Sequence, residues 1–212
     1  MRGPRWALGL GVAACVLLLA PLAGARNSSP YVDAAADAPA AAPDLTAVQV
    51  SNDDAGNVVF RISISNRTAL GGTDLVALFV DADGKLGTGC APGVFGAEYA
   101  LDVLAGRYVF GRCLDGSWDF TRRPASFGGS FAGSTLTLKA NRRDLGGAGR
   151  FDFRIGAASA TGADPAYDFA PDIGTSAWSY QVIAPPQAVM KPPARHRKAC
   201  RQRPRRCKLN RR

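Results

Sequence analysis

From Asp44 to Ile183 the apolar residues recur at every second position, a period that builds strands and cannot build an amphipathic helix. Val58, Phe60, Ile62 and Ile64 alternate with Arg61, Ser63 and Ser65, giving one face to a core and one to water. The pattern repeats three times: Tyr99, Leu101 and Val103 against Glu98 and Asp102; Leu136 and Leu138 against Thr135, Thr137 and Lys139; Phe151, Phe153 and Ile155 against Asp152 and Arg154. Leu75 to Val80 is apolar on both faces, the mark of a central strand covered on each side.

Turn chemistry separates these runs at Asp54-Ala55-Gly56-Asn57, Gly71-Gly72, Asp115-Gly116, Gly128-Gly129 and Gly146-Gly147. Short strands spaced by such turns predict an all-β fold, an antiparallel β-sandwich over residues 44–183. A domain of that length buries about two-thirds of its unfolded surface and can hold a core of its own. Residues 26–43, rich in Ala and Pro, read as a linker.

The two ends differ in kind from this body. Arg2 and Arg5, the apolar run Trp6 to Leu22 and the small residues Ala23-Gly24-Ala25 make residues 1–25 a cleavable export signal. A spanning helix needs about 20 apolar residues, and this run is shorter and broken by Pro21, so no transmembrane span is expected in the mature chain. Val12-Ala13-Ala14-Cys15 has the shape of a lipoprotein cleavage box, but the apolar run continues after it where a polar tether is the rule.

Residues 184–212 are rich in proline, lysine and arginine, with no acidic residue. Of 26 Lys and Arg, 11 lie there, whereas all 17 Asp and Glu fall between Asp33 and Asp172. The net charge of +9 therefore belongs to a disordered tail and not to the fold. Lys191, Arg195, Arg197, Lys198, Arg201, Arg203, Arg205, Arg206, Lys208, Arg211 and Arg212 are its candidate contacts to polyanions, and for an exported or envelope-associated protein those are anionic envelope polymers. Phosphate neutralisation needs no base readout, so no specific nucleic acid is implied.

Cleavage of the signal leaves four cysteines: Cys90, Cys113, Cys200 and Cys207. An even number in an oxidising compartment predicts disulfides. Of the three connectivities, Cys90 with Cys113 is the simplest, since each sits beside a predicted strand of the same domain.

The succession APDLTAVQVSND, VVFRISISN, DLVALFVDADGKLGTG, GAEYALDV, LDGSW and YDFAPDIGTSAWSY resembles exported bacterial β-sandwich domains of the DOMON and family 9 carbohydrate-binding-module group. The resemblance implies a ligand-binding or adhesive module, with sugar or haem as ligand in the wider group; the rival is a structural envelope protein with no ligand pocket, in which the tail alone adheres. Haem of that kind needs His and Met, and here the single histidine is His196 and the methionines are Met1 and Met190, all outside the sandwich. The same absence removes the base of a Ser-His-Asp or Cys-His nucleophile, and without His or paired thiols zinc has no ligands. A glycan-modifying enzyme would need two carboxylates across a cleft; Glu98 is the only glutamate, and its alternation with Tyr99 places it on the solvated side.

Two candidate sites remain. Asp81 and Asp83 leave the apolar run into Gly84-Lys85, but an EF-hand from Asp81 would put Lys85 fifth, Leu86 sixth and Pro92 twelfth, which excludes that loop. A looser calcium site, completed by Asp168 or Asp172, competes with plain turn chemistry in which Asp81 caps the loop; calcium is the one cofactor left open. For a glycan the flat faces are Trp118, Trp178 and Tyr180. Trp178 and Tyr180 share a face with Val182 and read also as core, and Trp118 is either a core plug or a platform.

Overall fold

Residues 25–159 and 165–183 are described by the computed structural model. The apolar N-terminal run expected to serve export, Cys200, Cys207 and all eleven basic tail residues lie outside the described residues.

Twelve strands and no helix form in the described residues: β1 (Asn27–Val32), β2 (Leu45–Asn52), β3 (Asn57–Ile64), β4 (Asp74–Asp81), β5 (Tyr99–Leu104), β6 (Arg107–Leu114), β7 (Ser117–Asp119), β8 (Gly128–Ala132), β9 (Thr135–Asn141), β10 (Arg150–Ser159), β11 (Ala166–Ala170) and β12 (Trp178–Gln181). Every pairing is antiparallel. One sheet runs β1-β2-β3-β9-β8; the other runs β11-β10-β4-β5-β6-β7, with β12 also on β10. The fold is the antiparallel β-sandwich that the period-two pattern requires.

The inward positions are those the alternation marks. Val50, Phe60, Ile62, Leu136 and Leu138 from one sheet meet Val76, Leu78, Leu101, Ile155 and Phe153 from the other, each at most 1% exposed. Full burial of such a side chain contributes about 1.5–3 kcal/mol, which makes this face the main source of stability. Two-residue turns with positive φ at both positions, Ala105-Gly106 and Asp115-Gly116, close the β5–β6 and β6–β7 hairpins, matching the strand twist.

Three expectations need correction. Residues 26–43 are not only a linker, because β1 pairs along β2 from Asn27↔Asn52 to Val32↔Ala47. Its sequence, NSSPYV, gives no apolar alternation, since the strand is an edge held by its backbone ladder and by Tyr31, whose hydroxyl donates to the Ser179 carbonyl at 2.5 Å. Gly128-Gly129 opens β8 instead of making a turn; a Cβ on Gly129 would stand 2.4 Å from the Tyr108 ring, so the pair marks close packing. And β4, though central, is fully covered on one side only.

Cys90 and Cys113 form a disulfide, with Cα atoms 5.5 Å apart. It fastens the long β4–β5 loop to β6. Because it closes a separation of 23 residues, reducing it is expected to cost about 3 kcal/mol in the chain-entropy account. Thermal melts with and without reductant check this, and equal melting temperatures would show that the crosslink constrains nothing.

Candidate ligand-binding face

The outward surface of the six-strand path follows from its register. Arg154, Phe79, Ala100 and Gly111 are directly opposed across β10, β4, β5 and β6, and the next row holds Phe169, Gly156, Ala77, Asp102 and Val109. Small residues floor this surface, so rings approach the backbone closely. A Cβ on Gly111 would meet Phe120 at 2.6 Å, and one on Gly156 would meet Phe169 at 3.1 Å.

Six rings run in sequence across this floor. Tyr167 stacks near Phe169 at 6.4 Å between centroids, Phe169 neighbours Phe95 at 6.2 Å, and Phe95 lies parallel on Phe79 at 4.3 Å. Phe79 then neighbours Trp118 at 6.1 Å, and Trp118 neighbours Phe120 at 6.3 Å. The ends are open: Tyr167 is 53% exposed and Phe120 46%. The four middle rings are half-buried against one another and against the sheet, and only the two ends of the row face open solvent.

Sequence reasoning found only Trp118 of these six. A readable signal existed: Trp118-Asp119-Phe120 and Tyr167-Asp168-Phe169 are aromatic-Asp-aromatic triplets, and period two sends both rings of each to one face. What it could not show is that β7 and β11 are opposite edges of one sheet, nor that Phe95 folds back over Phe79.

Phe95 reaches that position because the β4–β5 loop doubles back. Cys90 and Ala97 form a β-bridge, and Gly96, at φ +58°, lies so close to Leu86 that a Cβ would come within 2.6 Å of its Cα. Only glycine fits. At its base Asp81 accepts the amides of Gly84 (2.6 Å) and Lys85 (3.2 Å), Asp83 accepts the Lys85 amide (2.9 Å) and the Thr88 hydroxyl (3.1 Å), and Glu98 accepts the Ala82 amide (2.8 Å).

The third carboxylate beside Asp81 and Asp83 is thus Glu98, not Asp168 or Asp172. The β4–β5 register sets it there, since Val80 faces Tyr99 and Glu98 follows; Glu98 is half-buried and not a free surface charge. Asp168 is engaged elsewhere, accepting the Leu45 amide at 2.6 Å and clustering with Asp33 and Asp37. One oxygen from each of Asp81, Asp83 and Glu98 lies within 4.8 Å of the others, so these three could close on a divalent cation. They are already supplied with donors, and the Lys85 ammonium stands 3.6 Å from Asp83. Burial, with the Glu98 charge adding to it, raises the Asp81 pKa against the pull of the Gly84 amide. Chelation is expected to leave the melting temperature nearly unchanged; a fall of more than about 5 °C would mean that a bound ion stabilises the fold by at least roughly 1 kcal/mol.

A groove of about 690 Å³ opens between this loop and the loop joining β11 to β12, lined by Phe95, Arg150, Asp152, Arg154 and Thr175. Arg154, expected on the solvated side, is 6% exposed. Its guanidinium donates to the carbonyls of Pro171, Asp172 and Thr175 and so holds the far wall. Asp102, also expected in water, has one oxygen fully occluded without a donor, and burial pushes its pKa up to about 7.

Trp178 and Tyr180 do not belong to this face. Opposite Phe153 on β10, Trp178 stacks on Tyr31 at 5.3 Å and packs against Phe153 at 5.7 Å. Tyr180 is 1% exposed, and its hydroxyl donates to Asn52 (3.0 Å). Both are interior supports, because β12 turns its alternate residues toward the core.

Comparison with known proteins finds no family model, no curated protein and no solved structure that matches this chain.

Proposed function

We propose that the protein is an exported, non-catalytic binding module that lays a glycan chain along the outer aromatic face, as the resemblance to carbohydrate-binding sandwiches would have it. One observation carries the reading: six consecutive rings, with open ends, on a floor of glycine and alanine. Pyranose rings present flat C–H faces that pack on such surfaces, and a row of rings suits a chain better than a single sugar. The groove beside Phe95 adds Arg150 and Asp152 as polar partners for hydroxyls. The basic tail contributes separately, by charge, to association with anionic envelope polymers.

The test is a glycan array with the full chain, followed by titration of the best ligand into Trp118→Ala and Tyr167→Ala. Each is expected to weaken binding by roughly tenfold, a stacking contact being worth about 1–1.5 kcal/mol. A version ending at Ile183 is expected to keep the glycan signal and to lose the salt-sensitive part of binding to isolated envelope. Undiminished affinity in both ring variants would remove the aromatic face as the site.

A further inference from the structure

A second cleft, sharing no residue with the aromatic rings, lies between β6, the segment after β7 and the β9–β10 loop. It measures about 750 Å³, with Tyr99, Phe110 and Pro124 among its lining residues. Arg112 from β6, Arg122 from the segment after β7 and Arg143 from the β9–β10 loop also line it, and all three are exposed. Among the described residues the ion pairs are Arg26–Asp54, Arg67–Asp74, Lys85–Asp83 and Arg150–Asp152, so none of these three guanidiniums is paired. Three arginines from three segments outnumber the two carboxylates of the concavity, Asp144 and Asp119, the latter opposite Arg112 on the β6–β7 ladder, and the excess positive charge favours a bound anion.

We propose that this cleft binds an acidic saccharide, a sugar chain carrying carboxylates among free hydroxyls. The inference goes beyond the aromatic face and stands on different residues. Guanidinium forks match a carboxylate through two parallel N–H···O bonds. The same cleft contains Asp119 and Asp144. Asp144 accepts the Ser126 hydroxyl at 2.5 Å and Asp119 the Thr121 amide at 2.9 Å, each using one of the roughly four acceptor sites that a carboxylate offers. Sugar hydroxyls are the donors that would fill the others.

Those two carboxylates also discriminate. A DNA strand offers phosphates to the arginines but no free sugar hydroxyl within the strand to donate to Asp119 and Asp144, so it meets their charge without a compensating hydrogen bond. An acidic sugar presents acceptors and donors in alternation, which is the pattern of the cleft wall. Tyr99 and Phe110, 8% and 5% exposed, close the floor of the cleft from the core side. The segment Trp118-Asp119-Phe120 serves both sites, since period two turns its rings to the outer face and its carboxylate the other way.

The test uses the full chain in calorimetric titrations at about 0.15 M salt. The probes are trigalacturonate, its methyl ester and a short single-stranded DNA. Arg112→Gln/Arg122→Gln/Arg143→Gln is expected to weaken trigalacturonate binding by roughly tenfold or more, with an unchanged melting temperature because the three side chains are exposed. The methyl ester is expected to bind the unaltered protein as weakly as the acid binds this variant. Asp119→Asn/Asp144→Asn is expected to weaken trigalacturonate and to tighten DNA. Binding of the acid that is absent, or equal in the arginine variant, overturns the site. An aspartate variant that tightens both probes overturns the saccharide in favour of a general anion patch. Loss of glycan binding in Trp118→Ala, with trigalacturonate binding intact, separates this site from the aromatic face.

Discussion

Asp102→Asn is expected to make the protein more stable at pH 8 and no different at pH 4. Asp102 shares its row with Gly156, Ala77 and Val109 on the outer face, where one of its oxygens is occluded without a donor. Burial raises its pKa to about 7. The unfolded value is about 3.9, so between roughly pH 4 and 7 the unfolded chain has released a proton that the folded chain keeps. Stability contributed at this position therefore falls as pH rises through that window and is level above it. A shift of about three units corresponds to roughly 4 kcal/mol, and asparagine, which cannot ionise, removes the loss. Melting curves of the two proteins from pH 4 to 8 should diverge steadily, by about 10 °C at the upper end. Parallel curves would show that Asp102 is ionised and solvated in the folded protein.

Arg154→Met is expected to destabilise by about 4 kcal/mol and to loosen one wall of the groove. Methionine retains the apolar stem but none of the donors. The carbonyls of Pro171, Asp172 and Thr175, which all take a charged N–H from this one side chain, would be left without it. A hydrogen bond to a charged group contributes about 1.5–3 kcal/mol, and water reaching the exposed Asp172 and Thr175 recovers some of the loss. The loss should be local as well as global. Amide exchange in residues 171–177 is expected to accelerate more than in β4 or β9, whose ladders do not depend on Arg154. Uniform acceleration, or a drop below about 1 kcal/mol, would mean that the loop holds itself.

These two residues show where reading by pattern stops. Asp102 and Arg154 occupy polar positions in perfect period-two alternation, and alternation assigns polar positions to water. It is silent on what lies above the second face. There a loop folds over Arg154, and apolar neighbours surround Asp102, through contacts between segments far apart in the chain. Glu98 was misplaced for the same reason: its partner amide, on Ala82, is local only once β4 and β5 are paired.

By itself the sequence determined the all-β class, the inward face of β3, β5, β9 and β10 and most of the turns, because each depends on spacing along the chain or on one local conformation; it favoured the Cys90–Cys113 pair but left three connectivities open. Tertiary structure alone decided that β1 is a strand and that rings from β4, β7, β11 and a loop make one surface. Arg112, Arg122 and Arg143 came together in the same way. A face of a sheet is assembled by register between strands, and register is a relation between distant residues that no single stretch of sequence contains.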